Sequence, residues 1–126
     1  MELYIGGYAQ GKLGYVMKQK EIPLDQVCDA SDTTGSFNEN VRILNHFHLF
    51  VGNRLKEGRS PEEEVKEILC RFPDLIIISD EVGNGIVPMA AEEREYRERL
   101  GRILCTLAER AEKVERILCG IGQRIK

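Results

Sequence analysis

Leu3-Tyr4-Ile5-Gly6-Gly7-Tyr8-Ala9-Gln10-Gly11-Lys12-Leu13 is the stretch on which the fold turns. Residues 2–5 read as a short apolar strand. They run straight into a glycine-rich loop at residues 6–11, and a short helix is expected over residues 12–20. The loop fits G-x-x-x-x-G-K in the setting that this pattern requires, after a strand and before a helix. Glycines let the backbone wrap closely around phosphate groups. Loop amides and the helix N-terminus then supply partial positive charge, and Lys12 adds a point charge for the terminal phosphates. The next position holds a magnesium-binding hydroxyl in the full pattern; here it is Leu13, which cannot ligate a metal. Taken alone, the loop also fits a glycine-rich strand-to-helix connection with a surface lysine.

Outward from the loop, residues 25–29 are a weak strand candidate and residues 30–40 are polar loop. Over residues 37–56, Val41, Leu44, His48, Val51 and Leu55 recur at steps of three or four. That spacing predicts one helix, closed by Gly58. The next helix begins at Ser60 as N-cap, with Pro61 at its first position and Glu63 completing a capping box. Glu62, Glu63 and Glu64 suit the positive end of its dipole. Pro73 ends it. Leu75-Ile76-Ile77-Ile78 reads as a strand buried on both faces, as in a parallel sheet. A second tight loop follows with Gly83, Gly85 and Pro88. A long helix is expected over residues 90–113, apolar along Tyr96, Leu100, Ile103, Leu104, Leu107 and Ala111, with alternating Arg and Glu on a solvated face. Residues 114–119 are a last strand candidate. Strand, loop and helix in repetition imply an α/β fold with a mostly parallel sheet in one domain spanning residues 1–126. Ligands then bind beyond the carboxyl ends of the strands, where both glycine loops should lie.

The totals agree with one modest core. Of 126 residues, 42% are apolar, and tryptophan is absent, so aliphatic side chains must fill the interior. The formal charge of −3 lacks the basic excess of a general nucleic-acid binder. The cysteines Cys28, Cys70, Cys105 and Cys119 show no C-x-x-C spacing, and the histidines His46 and His48 stand apart from them. No metal site is therefore expected; the thiols read as buried or half-buried and free, in a reducing compartment. The N-terminus has neither the basic nor the apolar region of a signal peptide, and no apolar run reaches the ~20 residues that span a bilayer. A cytoplasmic protein without membrane partners is expected.

Glu81-Val82-Gly83-Asn84-Gly85-Ile86-Val87-Pro88, followed by Arg94, Arg97, Gly101 and Arg102, resembles a family signature. The family is the adenosylcobinamide kinase / adenosylcobinamide-phosphate guanylyltransferase family. Its pattern runs E-V-G-x-G-I-V-P and then R-x-F-R-D-x-x-G-R; here Tyr96 is the aromatic and Glu98 the acid. The ending Cys119-Gly120-Ile121-Gly122-Gln123-Arg124-Ile125-Lys126 is similar to the family's final strand and tail. The resemblance covers residues 1–17 and 74–126. It implies a P-loop NTPase-like three-layer α/β sandwich with a small, mostly parallel sheet. It further implies GTP or ATP as ligand, phosphorylation of the aminopropanol arm of a corrinoid (cobinamide), GMP transfer through a histidine, and a trimer.

On that resemblance, Gly6, Gly7, Tyr8, Ala9, Gln10, Gly11, Lys12 and Leu13 hold nucleotide. Glu81, Gly83, Gly85, Pro88, Arg94 and Arg97 serve the second loop and the phosphates or substrate. Lys12 and Glu81 are the catalytic candidates. Surface ion pairs for the two arginines, and an acid bracing its own loop for Glu81, fit the same residues. The departures matter. The segment that carries the guanylylated histidine, in an R-P-x-x-W setting, is missing, so His46 and His48 read as helix-face residues. Asn45 stands where the family has a Walker-B-like acid, Asn53 matches a family asparagine, and Asp80 replaces another. With Leu13 and Asn45 both neutral, magnesium is open to question and guanylyl transfer is not expected. The expected function is a purine-nucleotide-binding protein of the cobinamide kinase type, acting as kinase only. The alternative is a catalytically silent phosphate-binding module that regulates or partners another protein.

Overall fold

A computed structural model describes residues 1–32, 37–82 and 90–126. The chain runs β1 (Glu2–Gly6), α1 (Lys12–Lys20), β2 (Val27–Asp29), β3 (Ile43–Asn45), α2 (Phe47–Lys56), α3 (Pro61–Arg71), β4 (Ile76–Asp80), α4 (Ala91–Arg110), β5 (Lys113–Leu118) and β6 (Ile121–Arg124). The strands form one sheet in the order β2-β3-β4-β1-β5-β6. Every neighbouring pair is parallel except the terminal hairpin β5–β6.

Alternation along the inner strands feeds two apolar layers. Leu3, Leu44, Ile77 and Val114 point to one face, against Phe47, Phe50 and Val51 of α2, Val65 and Leu69 of α3, and Leu100, Ile103 and Leu107 of α4. Tyr4, Ile43, Ile76, Ile78 and Ile117 point to the other, against Val16 of α1. Among the described residues, three α-helices lie on one side of the sheet and one on the other, a three-layer α/β sandwich. Helices cover both faces of β1 and β4, and Leu3-Tyr4-Ile5 and Ile76-Ile77-Ile78 are accordingly unbroken apolar runs. Each fully buried Leu, Ile or Phe contributes roughly 1.5–3 kcal/mol relative to exposure.

Local signals explain several elements directly. The Glu63 amide donates to Ser60 Oγ, and Pro61 opens α3. The Ser60 hydroxyl in turn donates to the Glu62 carboxylate at 3.3 Å. The single helix expected over residues 37–56 is instead a strand followed by a helix. Ile43 and Leu44 belong to β3, on opposite faces of the sheet, and His46 turns the chain with φ 59° into α2. A three-residue strand is too short to reveal its period of two, and its apolar residues fell by chance in phase with those of α2. The hairpin strand β6 was not anticipated as a separate element; its turn is made by Cys119 and Gly120, at φ 51° and 73°. The long helix closes at Arg110, earlier than expected, and Lys113 already belongs to β5.

All four cysteines are free, but the expectation of burial holds only for Cys28, which is half-buried; Cys70, Cys105 and Cys119 are exposed. Cys70 and Cys105 lie on outward positions of α3 and α4, and Cys119 in the hairpin turn. Burial, then the neighbouring Asp29, pushes the Cys28 thiol pKa up. Among the described residues, no helix is long and apolar enough to cross a membrane.

Candidate functional site

The carboxyl ends of β1, β2, β3 and β4 bring Gly6, Asp29, Asn45 and Asp80 to one edge of the sheet. The first glycine loop leaves β1 at this edge. Gly6 faces the backbone of β5: a Cβ there would stand 2.5 Å from the Ile117 carbonyl oxygen. Ala9 and Gly11 take left-handed conformations, φ 56° and 81°, which curl the loop into the N-terminus of α1. A non-glycine residue in that region costs about 1–3 kcal/mol and persists only where the surroundings enforce it. The enforcement here comes from the terminal hairpin. The Cys119 amide donates to Gln10 Oε1 at 2.7 Å, and the Gly120 amide donates to the Gln10 carbonyl at 2.8 Å. Tyr8 stands almost fully exposed at the loop tip.

Lys12 is buried, not a surface lysine. Its ammonium donates to the Gly7 carbonyl at 2.7 Å and lies 2.6 Å from Asp80 Oδ1. Asp80 also faces His48. The Asp80 amide donates to His48 Nδ1 at 3.1 Å, so the neutral ring carries its proton on Nε2, which lies 3.4 Å from Asp80 Oδ2. Burial lowers the His48 pKa and outweighs the pull of Asp80, so the imidazole is neutral at pH 7. The His46 ring meets His48 edge-on at 5.9 Å between centroids. His46 Nδ1 lies 2.9 Å from Asp29 Oδ1, which also accepts from the Ser31 amide and hydroxyl. Burial raises the Asp29 pKa, but the bonds from Ser31 and His46 prevail and hold it below the usual carboxylate range. A row of polar groups, Asp29, His46, His48, Asp80 and Lys12, thus follows the strand ends.

His46 and His48 were expected to be helix-face residues of no catalytic role. In the structure each faces an aspartate, His46 through Nδ1 to Asp29 and His48 through both ring nitrogens to Asp80. Local sequence carries no sign of these pairs, because strand pairing alone brings residues 29, 46, 48 and 80 together. Glu81 is engaged differently: its carboxylate meets Arg116 at 3.0 and 3.1 Å, and its amide donates to the Gly6 carbonyl at 2.7 Å. That geometry braces the loop end against β1 and β5. Gly83, Gly85 and Pro88 lie outside the described residues. Arg94 and Arg97 sit in the first turns of α4. Elsewhere on that helix Arg99 pairs with Glu62 at 2.8 and 2.9 Å and Arg102 pairs with Glu98, as expected of a solvated face.

Residues at the magnesium positions do not fit the ion. The Leu13 side chain packs against the apolar layer of Tyr4 and Val16. Asn45 is buried at the end of β3. The nearest carboxylate to the loop, Asp80, is held by Lys12 and His48. Beside His48 a groove of about 990 Å³ opens between α2, the connection at residues 58–60 and the start of α4, lined in part by Gly52, Asn53, Arg59, Tyr96 and Arg99. The Tyr96 hydroxyl donates to the His48 carbonyl at 2.8 Å, and its pKa is pushed up to about 12 by burial and then by Asp80.

Two proteins show sequence similarity over part of the chain. The bifunctional adenosylcobalamin biosynthesis protein CobU of Salmonella typhimurium is 38% identical over 72 residues, 54% of this chain and 40% of that protein. Its counterpart in Escherichia coli is 38% identical over 52 residues, 41% of this chain and 29% of that protein. The chain therefore spans less than half the length of these relatives. The family model described as cobinamide kinase / cobinamide phosphate guanyltransferase matches residues 18–125. The glycine loop at residues 6–12 precedes the matched segment, so its assignment stands on its own geometry. With most of its length matched, the chain belongs to the cobinamide kinase / cobinamide phosphate guanyltransferase family.

Proposed function

We propose that the chain binds the phosphates of a purine nucleotide, GTP or ATP, at residues 6–12 and takes part in corrinoid assembly as a cobinamide kinase without guanylyl transfer. The observation that carries this reading is the position of Lys12. It is a buried ammonium at the N-terminus of α1, beside a left-handed glycine loop, at the carboxyl edge of a parallel sheet. That is the arrangement with which backbone amides and one lysine hold phosphate. Family membership supports the corrinoid as acceptor, and the groove beside His48 offers it room. Glu81 acts in this reading by holding the second loop in register with β1. His48, neutral, faces Asp80 with both ring nitrogens and in this reading holds that carboxylate in place.

A second reading is favoured by Leu13: a phosphate-binding module without turnover, in contact with another protein. The side chain that would replace a magnesium ligand is committed to the apolar layer. Incubation with γ-labelled GTP or ATP, magnesium and adenosylcobinamide separates the readings. Transfer of label to the corrinoid, lost in Lys12→Ala, is the expected result. Nucleotide binding without label transfer would establish the silent module. The trimer carried over from the family is tested by sedimentation, with a species of three 14.3 kDa chains expected.

A further inference from the structure

Lys12 is the loop's one cation, and in this structure it is already engaged. Its ammonium is 2.6 Å from Asp80 Oδ1 and 2.7 Å from the Gly7 carbonyl, and its side chain is 8% exposed. Asp80 does not depend on Lys12 for its position. Its backbone is fixed by the register of β4 on β1, where Asp80 stands opposite Gly6. Its amide donates to His48 Nδ1, and its second carboxylate oxygen faces His48 Nε2. One strand end and one buried imidazole therefore hold a carboxylate against the loop's lysine.

We propose that Asp80 is a built-in counter-anion that competes with phosphate for Lys12, and that this residue sets how tightly the loop holds a polyphosphate. The inference rests on the phosphate-binding reading of residues 6–12. A phosphate entering the loop must take the ammonium from Asp80 or lie beside an ionised carboxylate. Both outcomes weaken binding, since like charges a few ångströms apart repel strongly in a partly buried site. The backbone amides and the N-terminus of α1 still attract an anion. The loop therefore binds polyphosphate, but less tightly than its backbone allows. His48 is the positioning residue that keeps Asp80 in place.

The test is calorimetric titration of inorganic triphosphate in a metal-free buffer into the wild type, Asp80→Asn, Lys12→Ala and Lys12→Ala/Asp80→Asn. Asparagine keeps the shape and a hydrogen bond to His48 while removing the charge. The expected result is at least tenfold tighter binding by Asp80→Asn, with the gain lost when Lys12 is also removed. Equal or weaker binding by Asp80→Asn overturns the proposal. So does a loss of affinity confined to magnesium-containing buffer, which would make Asp80 a metal ligand. Asp80→Ala provides a second variant, read by the rise in Tm on adding triphosphate; a rise no larger than that of the wild type also overturns it. Wild-type binding lost in Lys12→Ala, with Asp80→Asn unchanged, removes the counter-anion and leaves the nucleotide site. No binding in any variant removes both.

Discussion

At Gly6 the side chain is excluded by backbone, not by a movable neighbour. An added Cβ meets the Ile117 carbonyl oxygen at 2.5 Å, so β1 and β5 would have to part. Gly6→Ala should lose about 1–3 kcal/mol, read from urea unfolding midpoints at constant m. His48 makes a different prediction. Its folded pKa lies below the ordinary value of 6.5, because burial disfavours the charged ring. As pH falls through the unfolded value, the unfolded chain takes up a proton that the folded chain resists, and stability declines. The lowered carboxylates Glu2, Asp29 and Glu62 act only at lower pH, where their protonation removes further stability. Between about pH 5 and 6.5, His48→Gln should therefore show a flatter dependence of Tm on pH than the wild type. Lys12 was legible in the sequence because the phosphate-loop pattern is local. Its pairing with Asp80 was not, because the two lie far apart in the chain and only strand pairing brings them together.

The elements that carried their own punctuation were legible: α3 from Ser60 and Pro61, β4 from three isoleucines, and α1 from Gly11 and Lys12. Ser60→Ala should cost α3 its cap, about 1 kcal/mol in chemical denaturation, with the site at the sheet edge unaffected. Where punctuation is absent, the reading failed. No glycine or proline separates β3 from α2; the break falls on His46, which takes the left-handed conformation without a glycine. The terminal hairpin was missed for a related reason, since its turn begins at Cys119, an unusual residue for positive φ. That turn braces the first glycine loop through Gln10. Gly120→Ala meets no steric neighbour but must hold φ 73° with a Cβ, at a cost of about 1–2 kcal/mol. The same change should raise hydrogen exchange in residues 8–11, because the loosened turn no longer fixes Gln10.

Across the whole sheet, chemistry gathers at one edge because parallel strands all end there. Strand order places β1 beside β4 and β4 beside β3, so the loop lysine, Asp80 and the histidine row become neighbours although they lie far apart in the chain. Fold class and the gathering of loops at one sheet edge could be read from alternating strands, loops and helices; the distribution of charge along that edge could not. The account's central claim is that this edge holds nucleotide through Lys12. Calorimetric titration of GTP and ATP into the wild type and Lys12→Ala tests it most directly. Saturable one-to-one binding by the wild type, weakened at least tenfold in a folded Lys12→Ala, is the predicted result. Equal affinity in the two proteins, or no heat of binding in either, would contradict it.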